Sequence, residues 1–479
     1  MDLTRRDLLR AGALGAAGLT FGVAFAADEF DTVILHGDVI DPESRTRRKR
    51  NLGLRGGRIA AISEKELRGK RTIDARGLVV APGFIDPISH GQDMENDILQ
   101  AFDGVTTKLQ MEVGVPEQDA WHKQQAGKRL LNYGAGCSHT LARWEVFGDF
   151  KASETAVATP DQIRKLAAIL ERELKKGALG VGFGLEYQPS STRWEVVEMF
   201  RVAGRYGVSC HCHTRYGTLL EEQNNLTAIQ EVLADALIHG AALHVCHVPS
   251  MALGQTDKAL ALIERAQARG LDVSCDFYPY TAFATGIETE VFAEGWQKRF
   301  GMDYGDLEWA ATHERLTPET FERYRAQGGT VVAHGIPETA VQAAVKSRAT
   351  MLGSDGSLEK GVGHPRSSGT FSRVLGRYVR ELKLISLEDA IAKMTIMPAR
   401  RFEKRCPDFR RKGRISPGAD ADLVVFDPAK VADRATFESP GLHSTGFGWV
   451  LVGGVPVIAQ GKLVEGKRPG RGLRAPQTP

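Results

Sequence analysis

The sequence predicts an α/β fold: a (β/α)8 barrel of the TIM-like kind, carrying a small β-sandwich built from both chain ends. Three observations lead there. Through the middle of the chain, apolar runs of strand length alternate with amphipathic helical stretches such as 158–175 and 256–269, the pattern of a parallel sheet with helices outside. Short strands punctuated by glycine recur at both ends of the chain. Polar, metal-capable side chains stand at the C-terminal ends of the central runs, where such a barrel builds its site from loops.

Taken in order, residues 1–26 come first, with Arg5-Arg6 ahead of a moderately apolar run, Ala11 to Ala26, rich in Ala and Gly. This resembles a twin-arginine export signal. The run is too short and too rich in Gly to span a membrane comfortably, and Ala24-Phe25-Ala26 supplies the small-x-small pattern for cleavage before Ala27. The expected location is therefore periplasmic or secreted, with no stable membrane span after cleavage.

Residues 27–80 alternate apolar runs with turns: Thr32-Val33-Ile34-Leu35, then Arg58-Ile59-Ala60-Ala61-Ile62, then Leu78-Val79-Val80. They predict the N-terminal part of the β-sandwich, and 411–465, with Leu423-Val424-Val425-Phe426 and Trp449-Val450-Leu451-Val452, its C-terminal part. Between them, 81–410 predicts the barrel. Candidate strands end at His90, Glu112, Thr140, Tyr187, His213, His247, Tyr280, His334 and Asp355. That is one more than a barrel needs, and the His334 run is the one to read as an insertion. Residues 466–479, basic and rich in Gly and Pro, read as a solvated tail.

Composition bounds the function. The 479 residues, 42% hydrophobic and 25% charged, suit a large globular core. A net charge of +3, with no clustered basic stripe, gives no reason to expect a nucleic-acid partner. Of six cysteines, four lie in apolar strand-like runs, so buried free thiols are expected rather than a disulfide framework, and Cys210-x-Cys212 lacks the second pair of a zinc knuckle.

The histidines carry the chemistry. Ser209-Cys210-His211-Cys212-His213 and Leu243-His244-Val245-Cys246-His247 each offer an imidazole at a strand end. Alternation puts His211 and His213 on one face, and His244 and His247 on opposite ones. A single histidine in an apolar strand is usually a core residue. Several at successive strand ends, with carboxylates at others, point to a metal and to hydrolysis.

At this point the chain resembles a known family. Ala81-Pro82-Gly83-Phe84-Ile85-Asp86 leading to His90, and Gly413-Arg414-Ile415 with Pro417-Gly418 and Asp420-Ala421-Asp422-Leu423, resemble the amidohydrolase superfamily. Gly177-Ala178-Leu179-Gly180, Tyr278-Pro279-Tyr280, Gly353-Ser354-Asp355-Gly356, His364-Pro365-Arg366 and Gly369 to Gly376 are similar to D-aminoacylases, towards the branch described as N-acyl-D-glutamate deacylases.

The resemblance implies metal-dependent hydrolysis of the amide of an N-acyl-D-amino acid, with zinc as the cofactor and one tightly bound ion. It implies Glu112, His213 and His247 as the tight ligands, His90 as the remnant of a weaker position, Asp355 as general base, and Arg366, with Tyr280 nearby, as the group that holds the substrate carboxylate. One departure stands out. Where the family's first strand carries His-x-His, this chain reads Ile88-Ser89-His90, so the second metal position is expected to lack ligands. Two alternatives stay open. One is a cyclic-amide hydrolase of the dihydroorotase or hydantoinase type, against which stands the absence of Lys from Gly177 to Tyr187; the other is a degenerate, non-catalytic binding protein of the same fold.

Overall fold

The computed structural model describes residues 29–477, so the Arg5-Arg6 segment and the expected cleavage point lie outside the described residues. The chain opens with β1 (Phe30–Asp41), β2 (Thr46–Arg55), β3 (Arg58–Ser63), β4 (Gly69–Asp74) and β5 (Val79–Pro82). It closes with β19 (Leu423–Phe426), β20 (Phe447–Val452), β21 (Val455–Ala459) and β22 (Lys462–Leu463). These form one nine-stranded sheet in the order β22-β21-β20-β19-β5-β1-β2-β3, with β4 on β1. The two chain ends meet where β5 pairs antiparallel with β19, Val80 opposite Val425. One face of that sheet buries Ile34, Leu52, Val80, Leu423, Val425 and Leu451 together. The β2–β3 turn is Gly56-Gly57, with φ of 56° and 77°, the left-handed pair that a tight hairpin turn needs.

The barrel follows as β6 (Phe84–Asp86), β7 (Val105–Val115), β8 (Asn132–Ser138), β9 (Gly180–Gly184), β10 (Ser209–His213), β11 (Ala242–Val245), β12 (Val273–Phe277) and β16 (Thr350–Leu352). They are hydrogen-bonded in that order, every pair parallel. Beyond β16 the backbone closes back on the first strand: Asp355 N donates to Ile88 O at 2.8 Å and His90 N to Gly356 O at 3.0 Å. Helices pack outside. In Pro160–Lys175, Ile163, Leu166, Leu170 and Leu174 line the buried face, and Thr159 with Gln162 forms a capping box that fixes the start.

The ninth candidate run is accounted for. Val331-Val332-Ala333 ahead of His334 forms β15 (Thr330–Ala333), which pairs antiparallel with β13 (Phe283–Gly286) and β14 (Leu307–Trp309) in a separate sheet inserted between β12 and β16. Its apolar run looks like a barrel strand because periodicity reports burial, not the direction of the partner strand. A small ribbon of β17 (Leu358–Glu359) and β18 (Val362–Gly363) follows β16.

The C-terminal stretch corrects the sequence reading. Residues 470–475 are not a free tail but strap the barrel: Tyr133 N donates to Arg471 O, Leu473 N to Tyr133 O at 2.7 Å, and Ala475 N to Gly177 O. Leu473, 3% exposed, packs into the barrel interior with Leu179 and Phe402. Composition misleads here because two apolar side chains, Leu473 and Ala475, find a docking edge that only the folded barrel provides.

Candidate active site

The site sits at the C-terminal mouth of the barrel, in a cavity of about 270 Å³ lined by His90, Glu112, His213, His247, Asp355 and Arg366 among others. Glu112 comes from β7 and is 4% exposed. Its strand lies close against β9 because Gly182 is a glycine; a Cβ there would stand 2.0 Å from Glu112 O. His213 ends β10. His247 stands two residues beyond β11, with φ of +31° and its backbone N–H donated to Asp276 Oδ1. That left-handed turn brings its ring to a centroid distance of 4.8 Å from His213.

Each imidazole is held from behind. His213 Nε2 lies 3.0 Å from Glu186 Oε2, leaving Nδ1 at 3.1 Å from Glu112 Oε1. His247 Nδ1 lies 2.9 Å from Ser250 Oγ, leaving Nε2 at 3.3 Å from Glu112 Oε2. His90 Nδ1 meets Gln110 Oε1 at 2.9 Å, and its Nε2 lies 2.8 Å from Asp355 Oδ1. Such partners fix ring orientation and leave one nitrogen of each ring pointing at a common centre.

The residues fit a metal. Ligand atoms of Glu112, His213 and His247 lie within 4.8 Å of one another, and Glu112 Oε2 is buried without a hydrogen-bond partner. Two imidazoles and a carboxylate are a common zinc donor set. The electrostatics agree: burial works against charge on His213, yet Glu112 and Glu186 outweigh it and push the imidazole up to about 9. Burial likewise opposes ionised Glu112, but His247 and His213 hold its carboxyl well below the usual range. The cluster favours positive charge at its centre.

Several expectations need amendment. His90, Glu112 and Asp355 form a second group whose ligand atoms also lie within 4.8 Å, so the second position, expected to lack ligands, has three candidate donors. Glu112 serves both groups because its two oxygens face different sides, Oε1 towards His213 and Oε2 towards His90 and His247. Ile88 is fully buried among Leu109 and Met111 and contributes no ligand. Tyr280 does not line the cavity: its hydroxyl donates to Pro365 O at 3.2 Å and its ring packs edge-on to His364. The tyrosine that does face the cavity is Tyr278, whose buried hydroxyl lies beside Ser250 and Arg366. Alternation along an extended stretch places residues 278 and 280 alike; the chain leaves the strand at Phe277, and alternation no longer applies beyond it.

Arg366 lines the cavity but lies 2.7 Å from Asp355 Oδ2 through Nη1, with its guanidinium 4.7 Å above the Tyr278 ring and its Nε unpartnered. Asp355 itself has φ of +52°. Burial raises its carboxyl, but Arg366, His247 and His90 outweigh that and hold it below the ordinary value, so it is ionised at neutral pH. Glu186 was missed by sequence reasoning, although it lies one residue before the strand end placed at Tyr187. His211 and His244 lie one layer down and fully buried, His211 stacked on Phe402 at 5.6 Å.

A parallel barrel with a carboxylate, two imidazoles and an ionised aspartate at its mouth defines a metal-dependent hydrolase of the β/α-barrel class. This chain belongs to the amidohydrolase family, whose family model matches residues 146–458. It is 32% identical to both the N-acyl-D-glutamate deacylase and the D-aminoacylase of Alcaligenes xylosoxydans xylosoxydans, each alignment covering 93% of this chain and 97% of the relative. The crystal structure of N-acyl-D-glutamate deacylase from Bordetella bronchiseptica, complexed with zinc and a phosphonate that mimics the tetrahedral intermediate, superposes with a TM-score of 0.81 at 31% identity, covering 94% of this chain and 100% of that one.

Proposed function

We propose that this chain hydrolyses the amide bond of N-acyl-D-amino acids, releasing a carboxylate and a free D-amino acid. The observation that carries the reading is the meeting of Glu112, His213 and His247 beside Asp355 and Arg366 at one barrel mouth. Relatives named for that activity, alike over nearly the whole chain, support it. β9 carries no lysine, which counts against a cyclic-amide hydrolase built around a bridging lysine carbamate.

Glu112, His213 and His247 would hold one tight zinc, which when bound polarises the scissile carbonyl and makes water acidic enough to attack at neutral pH. The remaining work falls to the chain. Asp355, ionised and aimed into the cavity, accepts the proton of the attacking water and returns it to the leaving amine. Arg366, its Nη1 on Asp355 and its Nη2 donating to Ala284 O, has Nε left to take the substrate carboxylate. The Tyr278 hydroxyl, buried at the cavity wall beside Ser250 and Arg366, is placed to donate to oxygen as charge develops on it. Gln110, Glu186 and Ser250 keep the three rings oriented.

The test is turnover of matched N-acetyl-D- and N-acetyl-L-amino acids, with dihydroorotate and a hydantoin as controls, alongside elemental analysis. Cleavage of the D-series with one zinc per chain supports the reading. Turnover confined to the cyclic amides, or bound zinc without turnover, rejects it. Export by the twin-arginine route is proposed on Arg5-Arg6 alone, and changing both to lysine should strand the precursor in the cytoplasm; periplasmic yield equal to wild type rejects that route.

A further inference from the structure

We propose that the cavity selects substrates with uncharged, apolar side chains and rejects acidic ones; this rests on the reading above and deepens it. Among the described residues, the only Lys or Arg lining the cavity is Arg366, which the substrate α-carboxylate would occupy. A second carboxylate would meet no free cation. His364 cannot serve, since its Nε2 faces Ala282 O at 3.1 Å and its Nδ1 accepts from Arg366 N at 3.0 Å. Cations behind the wall are already engaged. Arg299 donates to the carbonyls of Val291, Ala293 and Glu294, and Lys151, 61% exposed, pairs with Glu154 and Glu290.

Apart from Arg366 and the imidazoles of the centre, the charged groups that face the space are carboxylates: Glu112, Glu186 and Asp355 in the main cavity, and Glu154 in an adjoining pocket of about 200 Å³ that shares Glu112, Val113 and Tyr187 with it. Glu186, held by His213 and Gly217 N, and Glu154, beside Lys151, line the space with carboxylate and offer no cation to an acidic side chain. The surfaces left for a side chain are Val113, Met251, Phe283, Val291 and Phe300 in the cavity, and Phe150 in the adjoining pocket. Burying apolar surface there is favourable, whereas a carboxylate would be stripped of water and left unpaired. Specificity then comes from the lack of a free cation as much as from apolar contact. Much of this wall, from Phe283 to Thr330, belongs to the insertion between β12 and β16, so it can vary without disturbing the barrel.

The experiment compares kcat/KM of the zinc-loaded protein for N-acetyl-D-methionine, -D-glutamine, -D-glutamate and -D-lysine. Methionine should exceed glutamate by about 100-fold, with glutamine between them. Glutamate equal to or better than methionine overturns the proposal, as does a preference for lysine. Thr330 lines the same wall, yet its residue is exposed, so Thr330→Arg adds a cation without rebuilding the core. It should raise the glutamate-to-methionine ratio by about 10-fold, the order expected of a newly paired carboxylate; an unchanged ratio overturns the placement of the side chain against this wall. Should none of the four amides be cleaved, the reading of the reaction falls, and the ligand-induced rise in melting temperature of the wild-type protein ranks the same compounds and decides the side-chain class independently.

Discussion

Asp355 and Glu186 carry the sharpest consequences at the scale of single residues. Asp355 pairs with both His90 and Arg366, so it is held ionised where the proposed reaction takes up a proton. Asp355→Asn should lower kcat by about 10²- to 10⁴-fold with zinc content and melting temperature close to wild type; retention of more than a tenth of the activity excludes it as the base. Glu186 touches only the far nitrogen of His213 and Gly217 N, so its effect is on the ligand and not on the reaction. Glu186→Gln should weaken zinc binding by about 10- to 100-fold in a chelator competition, with activity largely restored at saturating zinc. His213, His247, Glu112 and Asp355 were all legible in the sequence because each ends or follows a strand-like run. Tyr278 and Glu186 were not, since which side chain faces inward beyond a strand end depends on the turn.

Between elements, Asp103 shows how the helix that presents Arg366 is anchored. It caps the helix Met94–Phe102 and accepts hydrogen bonds from Phe371 N, Ser372 N and Ser444 Oγ, so it ties that helix to Arg366–Arg373 and to the loop before β20. Burial pushes its carboxyl up to about 7 against the pull of those donors. A raised folded-state value means that the contribution to stability is fully present below the unfolded value of 3.8 and is lost as pH rises through about 7. The stability of wild type should therefore fall more steeply with pH over that window than that of Asp103→Asn, by up to about 1.4 kcal/mol per pH unit. Urea melts at pH 5, 6, 7 and 8 read this, and parallel profiles refute it. The insertion belongs to this scale too: its length and apolar runs were visible, but that it turns Phe283, Val291 and Phe300 onto the cavity was not.

For the whole molecule, the C-terminal strap makes barrel and sheet interdependent. Leu473 is buried in the barrel interior although it follows the last strand of the sheet. Leu473→Ala should cost about 2–4 kcal/mol, measured by denaturant unfolding of the zinc-loaded protein; a change under 0.5 kcal/mol, the level of an ordinary surface substitution, would return the stretch to the status of a tail.

The sequence by itself determined the barrel and the sheet shared between the chain ends, because these follow from local patterns of period-2 burial and helical periodicity, while the polar residues that end each strand marked the candidate ligands and the family resemblance chose among them. It also marked Ile88 as the position where the first-strand ligand is absent. Tertiary structure alone decided that Glu112 faces both candidate metal groups, that Tyr278 and not Tyr280 meets the cavity, that residues 470–475 dock, and that, among the described residues, Arg366 is the one Lys or Arg lining the cavity. Those outcomes depend on which distant side chains converge on one volume, and the order of residues along a chain holds no direct record of that.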